Sequence, residues 1–184
     1  MSPRPDAHKL HRESSGPGAL APNPVQNSDE SSIEPEGTYA MGNDTMGRVT
    51  TEATIENLED LWSVKRGLLP ADQVRRVHVA DALVDTGATL LSMPTRLIHQ
   101  LGLSARATKR IRSSVGTGQA AMYEAVRLTI QGRDCTMDVM EVPDDVPVLI
   151  GQLPLEHLDF VVDTKNHVLI GNPAHGGEHI YELY

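Results

Sequence analysis

The sequence predicts an all-β domain with closed, barrel-like packing and a few short helices. Three observations carry this reading. Short stretches alternate apolar and polar residues, as at Val49, Thr51, Ala53 and Ile55 and again at Val126, Leu128 and Ile130; a period of two is that of a half-buried strand. Turn signals separate these stretches, at Gly116 and Gly118, at Gly132-Arg133 and between Pro143 and Pro147. Few segments are left for helices, so sheet must pack on sheet or close on itself.

Taken in order, Val49 to Ile55 reads as the first strand. Leu58 to Val64 is a short helix or irregular excursion, with Trp62 its packing anchor. Val77 and Val79 open a second strand that delivers Asp85. Pro94 suits the first turn of a helix ending near Gly102, with Leu97, Ile98 and Leu101 inward. Thr108 to Ser114 and Met122 to Ile130 flank Val115-Gly116-Thr117-Gly118-Gln119, which reads as a flexible hairpin tip. Gly132-Arg133 turns into a strand through Cys135, Met137 and Val139. Val148-Leu149-Ile150 is a short, wholly apolar strand, and Pro154 to Leu158 a helical turn or two.

Residues 1–45 differ from the rest. They hold half of the twelve prolines, many Ser, Asn and Glu, and no periodic apolar face. Such a segment buries too little surface to offset its ordering entropy, so a disordered tail is expected at 1–45 and a folded domain over 46–184. The net charge of −9 divides into about −4 on the tail and about −5 on the domain. This argues against nucleic acid as the main partner. No run is long and apolar enough for a signal peptide or a membrane span, and a single cysteine, Cys135, suits a reducing cytoplasm.

The most informative stretch is Ala82-Leu83-Val84-Asp85-Thr86-Gly87-Ala88. An apolar strand runs straight into an acid, a hydroxyl and a glycine. An acid flanked this way pairs with something or has a perturbed pKa. Asp85-Thr86-Gly87-Ala88 resembles the catalytic loop of aspartic proteases, and Val148-Leu149-Ile150-Gly151-Gln152-Leu153-Pro154 resembles the segment that packs beneath it in retropepsin-like members. Leu158 to Asp163 and Val168 to Pro173 resemble the closing strands of that family. The likeness covers residues 46–175 and implies a retropepsin-like closed β-barrel with a glycine hairpin flap.

By this resemblance the chain is an aspartic endopeptidase. Asp85 is the catalytic acid, Thr86, Gly87 and Ala88 support the loop, and Leu149, Ile150 and Gly151 pack it. Val115, Gly116, Thr117 and Gly118 form the flap over bound peptide. No cofactor or metal is implied. Two carboxylates must flank one water, yet Asp-Thr-Gly occurs once; Asp163-Thr164-Lys165, its nearest echo, lacks the glycine. Hence a homodimer is expected, with Asp85 from each chain meeting across a two-fold axis. The partners are a second copy and a peptide or protein substrate, with neither nucleic acid nor membrane.

Plainer readings stand beside these. Asp85-Thr86-Gly87 taken alone reads first as a turn with Asp85 capping its own loop, and Leu149-Ile150-Gly151 turns the balance toward catalysis; Gly116 and Gly118 read equally as an ordinary hairpin. His175 and His179 have a zinc-like spacing, but Gly176-Gly177 discourages a helix there and no third ligand is placed. Arg106, Lys109, Arg110 and Arg112 read as a solvated edge that blocks sheet association. A catalytically silent dimerisation or peptide-binding module is the alternative function. An aspartyl-phosphate enzyme is a third reading, disfavoured by Gly87 and the β-rich chain.

Overall fold

The computed structural model describes residues 47–113, 116–181 and 183; the tail expected at 1–45 lies outside them. Among these residues nine strands and three short α-helices run in the order β1 (Thr50–Asn57), α1 (Leu58–Lys65), β2 (Arg76–Val84), β3 (Leu91–Pro94), α2 (Thr95–Leu101), β4 (Ala105–Ser113), β5 (Gly116–Ile130), β6 (Arg133–Val142), β7 (Leu149–Ile150), α3 (Gln152–His157), β8 (Phe160–Asp163) and β9 (Val168–Gly171). The fold is all-β and retropepsin-like, as the sequence predicts.

Strand order explains the closure. The large sheet runs β1-β2-β7-β3-β6-β5-β4, and β1 pairs again with β5. Six strands therefore form a ring with no free edge, and β4 stands outside it against β5 alone. β5 is long enough to do both jobs. Its last residues pair with β1, from Val126↔Asn57 to Thr129↔Thr54, while its first residues pair with β4. The interior is filled by Ile55, Leu91, Met93, Val126, Leu128, Val139 and Ile150, all 0% exposed.

Each helix is bounded by its own sequence. Asn57 caps α1, its side chain accepting from the Asp60 amide at 3.0 Å, while its side-chain amide donates to the Leu101 carbonyl at the end of α2. Asp60 in turn receives Arg75 through two guanidinium hydrogen bonds of 2.7 Å, which fastens the α1 excursion to the start of β2. The Arg75 side chain beside it holds the Asp60 carboxyl below its ordinary range. Pro94 closes β3 rather than opening α2, because its φ of −58° and ψ of 144° suit a strand end and a cap. Gly102 ends α2 at φ +63°, and Leu97, Ile98 and Leu101 face inward.

Trp62 corrects the sequence reading. It is 57% exposed, so it anchors nothing, and the Asp60–Arg75 pair does that work instead. Cys135 is buried, with desolvation pushing its thiol up to about 11, which leaves it protonated and unreactive. No helix among the described residues is long and apolar enough to cross a membrane.

The C-terminal segment is strapped down by Asp159. This buried residue stands at φ +55° between α3 and β8. One carboxylate oxygen accepts from the Asn172 side chain at 2.8 Å, and the other meets His175 Nδ1 at 2.7 Å and the Ile180 amide at 3.3 Å. Arg133 adds two hydrogen bonds of 2.7 Å, to the Leu158 and Asp159 carbonyls. The His175 contact, helped by Asn172 and the Ile180 amide and opposed by burial, lowers the Asp159 carboxyl to about 2. A carboxyl depressed in the folded state stabilises fully above its unfolded value and loses that contribution as pH falls through the folded one. We expect urea resistance to decline between about pH 5 and pH 2. Asp159→Asn should lower the urea midpoint at neutral pH and flatten that decline; equal slopes for both proteins would show that the strap carries no proton linkage.

Candidate active site

β2 carries its apolar run to Val84, and Asp85 follows at the point where the chain leaves the ring. The strand is locked on both sides up to this point. The Leu83 amide donates to the Val148 carbonyl at 2.8 Å, the Val84 amide to the Val49 carbonyl at 2.9 Å, and the Asp85 amide to the Ile150 carbonyl at 3.0 Å. Position 85 is thus fixed by the barrel rather than by a mobile loop. The turn closes with the Ala88 amide on the Asp85 carbonyl at 3.1 Å.

Asp85 is partly exposed and its two oxygens differ. Oδ1 accepts from the Gly87 amide at 2.9 Å, which is the turn-capping role that the plainer reading gives it. Oδ2 has no partner among the described residues. A carboxylate so arranged has its orientation set by one oxygen and its second oxygen left to bind water or a proton. The capping role and the chemical role are therefore compatible.

Thr86 and Gly87 are exposed, and the Thr86 hydroxyl makes no hydrogen bond among the described residues. Gly87 is not required for a left-handed backbone. Its reason is proximity: a Cβ there would lie 3.1 Å from Asp85 Oδ1, against the oxygen it now holds through its amide. Ala88 contributes its carbonyl, which accepts the Gln152 amide at 2.8 Å.

The second motif sits directly beneath. β7 is parallel to β2, with Val84 opposite Ile150, and antiparallel to β3, with Leu91 opposite Ile150. Ile150 is fully buried, Leu149 partly so. The chain then passes Gly151 against the loop's backbone. A Cβ at 151 would meet the Leu90 carbonyl oxygen at 2.5 Å and the Ala88 carbonyl oxygen at 2.8 Å. The next two amides, of Gln152 and Leu153, donate to Ala88 and Thr89 at 2.8 and 3.0 Å. The structure brings Asp85, Gly87, Ala88, Ile150 and Gly151 into one backbone-bonded unit.

The predicted hairpin residues lie elsewhere in the fold. Gly116, Thr117 and Gly118 are the first residues of β5, opposite Ser113, Arg112 and Ile111, and all three are exposed. They belong to the arm that β4 and the start of β5 form beyond the ring; Val115 lies outside the described residues. One row of paired residues connects the arm to the loop, from Val84 through Ile150, Leu91, Val139 and Tyr123 to Ala105. Asp163 ends β8 and caps the turn that follows, its carboxylate accepting the Lys165 and Asn166 amides at 3.0 Å. Of the spaced histidines, His175 bonds Asp159 and His179 Nε2 lies 3.1 Å from the His157 carbonyl.

Sequence reasoning missed Ser92 on β3, opposite Leu149. It is 0% exposed and its hydroxyl has no hydrogen-bond partner among the described residues. The signal was its place within the apolar run from Leu90 to Met93, where a strand residue faces the core.

Residues 75–171 match the family described as gag-polyprotein putative aspartyl protease. No curated protein matches the chain.

Two substitutions test the packing. Gly151→Ala should destabilise the fold by about 2 kcal/mol or more, the range for forcing atoms into a filled core. Calorimetry would detect it; an unchanged melting temperature would mean the loop yields freely. Ser92→Ala should be neutral or stabilising by up to about 1 kcal/mol, since it removes a buried unpaired hydroxyl. A loss beyond that would reveal a partner for the hydroxyl.

Proposed function

Because the chain belongs to the gag-polyprotein putative aspartyl protease family, we propose that it is an aspartic endopeptidase acting as a homodimer, with Asp85 of each copy at a shared site. The observation that carries this reading is the Asp85 loop, in which a carboxylate is oriented through Oδ1 while Oδ2 accepts no hydrogen bond from the described residues, on a turn fixed by Ile150 and Gly151. The domain begins near residue 46, and its setting is cytoplasmic, a reading supported by the lone, buried Cys135.

The chemistry follows from the proximity of two such acids. Carboxylates about 3 Å apart share one proton, because both cannot ionise cheaply. The ionised one takes a proton from water as its oxygen attacks the peptide carbonyl carbon. The protonated one gives its proton to the carbonyl oxygen. The tetrahedral intermediate then breaks its C–N bond as a proton passes to the leaving nitrogen. The apparent pKa values belong to the pair and not to either Asp85.

The exposed Thr86 hydroxyl, without a hydrogen bond among the described residues, supports a role between the two loops. Gly116, Thr117 and Gly118, on the exposed arm formed by β4 and the first half of β5, support a covering role over extended peptide.

Asp85→Asn should lower kcat/KM for a cleavable peptide by roughly a hundredfold to ten-thousandfold, the span for losing a general acid or base. A statine-type inhibitor should block the wild type, and specific activity should fall on dilution as the dimer dissociates. Cleavage that survives Asp85→Asn would sink the catalytic assignment. Peptide binding without cleavage, from acid to neutral pH, would identify a silent binding module instead.

A further inference from the structure

The β4–β5 arm carries a charge pattern that the proposed chemistry does not use. Lys109, Arg110 and Arg112 lie in β4 and are exposed. Their cross-strand neighbours on β5 are Ala120, Gln119 and Thr117, none of them acidic. Arg106, on the same strand, is answered by Asp138 at 3.0 Å; Lys109, Arg110 and Arg112 have no acidic partner among the described residues. In a chain with 25 acids and 16 bases, the outer half of the arm is a local positive field.

Among the described residues the other edge of β4 pairs with no strand, β4 being the last in the sheet order. Its amides and carbonyls there present a template for one more extended chain. A second copy is disfavoured as occupant, since β4 set antiparallel on β4 about Ile111 would oppose Arg110 to Arg112. Nucleic acid is disfavoured by the net charge of −9 and by the absence of any aromatic residue in β4 or in Gly116–Ala121, which leaves bases nothing to stack on.

We infer that the cationic arm selects acidic, extended peptide substrates, with Arg110 and Arg112 reading two carboxylates spaced one residue apart. The spacing follows from strand geometry. Arg110 and Arg112 project to one face of β4, and residues i and i+2 of an extended peptide do the same. Lys109 faces the other side and contributes long-range attraction. This inference rests on the reading of the arm as a substrate cover; the plain alternative is that the cations only keep the edge from aggregating.

The test uses the full chain carrying Asp85→Asn, which binds without cutting, and two synthetic peptides. One holds Glu-x-Glu beside an apolar centre; its counterpart has Gln at both positions. Fluorescence anisotropy should show the acidic peptide binding roughly tenfold more tightly, the sum expected of a few exposed ion pairs. The preference should shrink between about 50 mM and about 300 mM salt and vanish in Lys109→Gln/Arg110→Gln/Arg112→Gln. Equal binding of the two peptides, binding of neither, or a preference that survives the triple substitution overturns the inference. So does a single-stranded RNA that competes as well as the acidic peptide. Cleavage by the wild-type protein, read by mass spectrometry on the same pair, is scored separately. Its absence alongside a retained binding preference would remove the protease reading and leave the arm's selectivity standing.

Discussion

Gly151 lies against the carbonyl oxygens of Ala88 and Leu90 at a separation that no Cβ could share, and the site depends on that contact. It lets the segment after β7 run flush beneath the Asp85 turn, so that the Gln152 and Leu153 amides reach Ala88 and Thr89. The turn's outward carbonyls are thereby satisfied without water or side chains. Since the Asp85 amide is also held by Ile150, the loop's backbone is bonded at both ends by one continuous segment, the end of β7 and the start of α3. Orientation of a carboxylate to within a fraction of an ångström needs this kind of support from rigid elements. The two motifs, 64 residues apart at Gly87 and Gly151, are one mechanical object.

That object is only as rigid as the ring beneath it. Ring closure occurs where β1 meets β5, and Glu56 sits at this seam, 6% exposed and flanked in register by Arg127 on β5 and Arg76 on β2. Arg127 Nε donates to Glu56 Oε2 at 2.9 Å, and Arg76 lies 3.3 Å from Oε1. Both arginines keep more than a third of their side-chain surface in water. The pairs therefore add little as exposed ion pairs, and their importance lies in neutralising a buried carboxylate. They also fix register: a one-residue slip of β1 would carry Ile55 off the core face and turn Glu56 into it, away from both arginines.

The parts of this protein that could be read from sequence were those with local physical signatures. Alternation gave β1, β5 and β6 because each buries one face. Apolar continuity located β7, and Gly102 marked the end of α2. The Asp85 turn was legible because three unusual demands fall on adjacent residues. What escaped was set by partners far along the chain. The role of Asp60 depends on Arg75, that of Asp159 on His175, Asn172 and Arg133, and nothing near either acid announces its partner. Trp62 failed for the complementary reason: size and apolarity suggested an anchor, but α1 turns it outward. β4 extended three residues earlier than its apolar pattern indicated, because an exposed edge strand has no buried face to alternate against.

This contrast bears on the hairpin arm. Within the ring, every strand satisfies its backbone on both sides, and side-chain identity is dictated by the interior. β4 escapes both constraints, being outside the ring and exposed for most of its length. Nothing in the fold requires Arg110 or Arg112 to be basic, and a single charge suffices to discourage edge-to-edge pairing. Three cations within four residues, with no acidic partner among the described residues and on a strand that the barrel does not constrain, are better accounted for by what the arm meets than by what holds it. The cost of keeping them is small, since exposed charges lose little hydration. Any gain must come from an anionic partner laid against the edge, where the backbone template and the positive field act on the same extended segment.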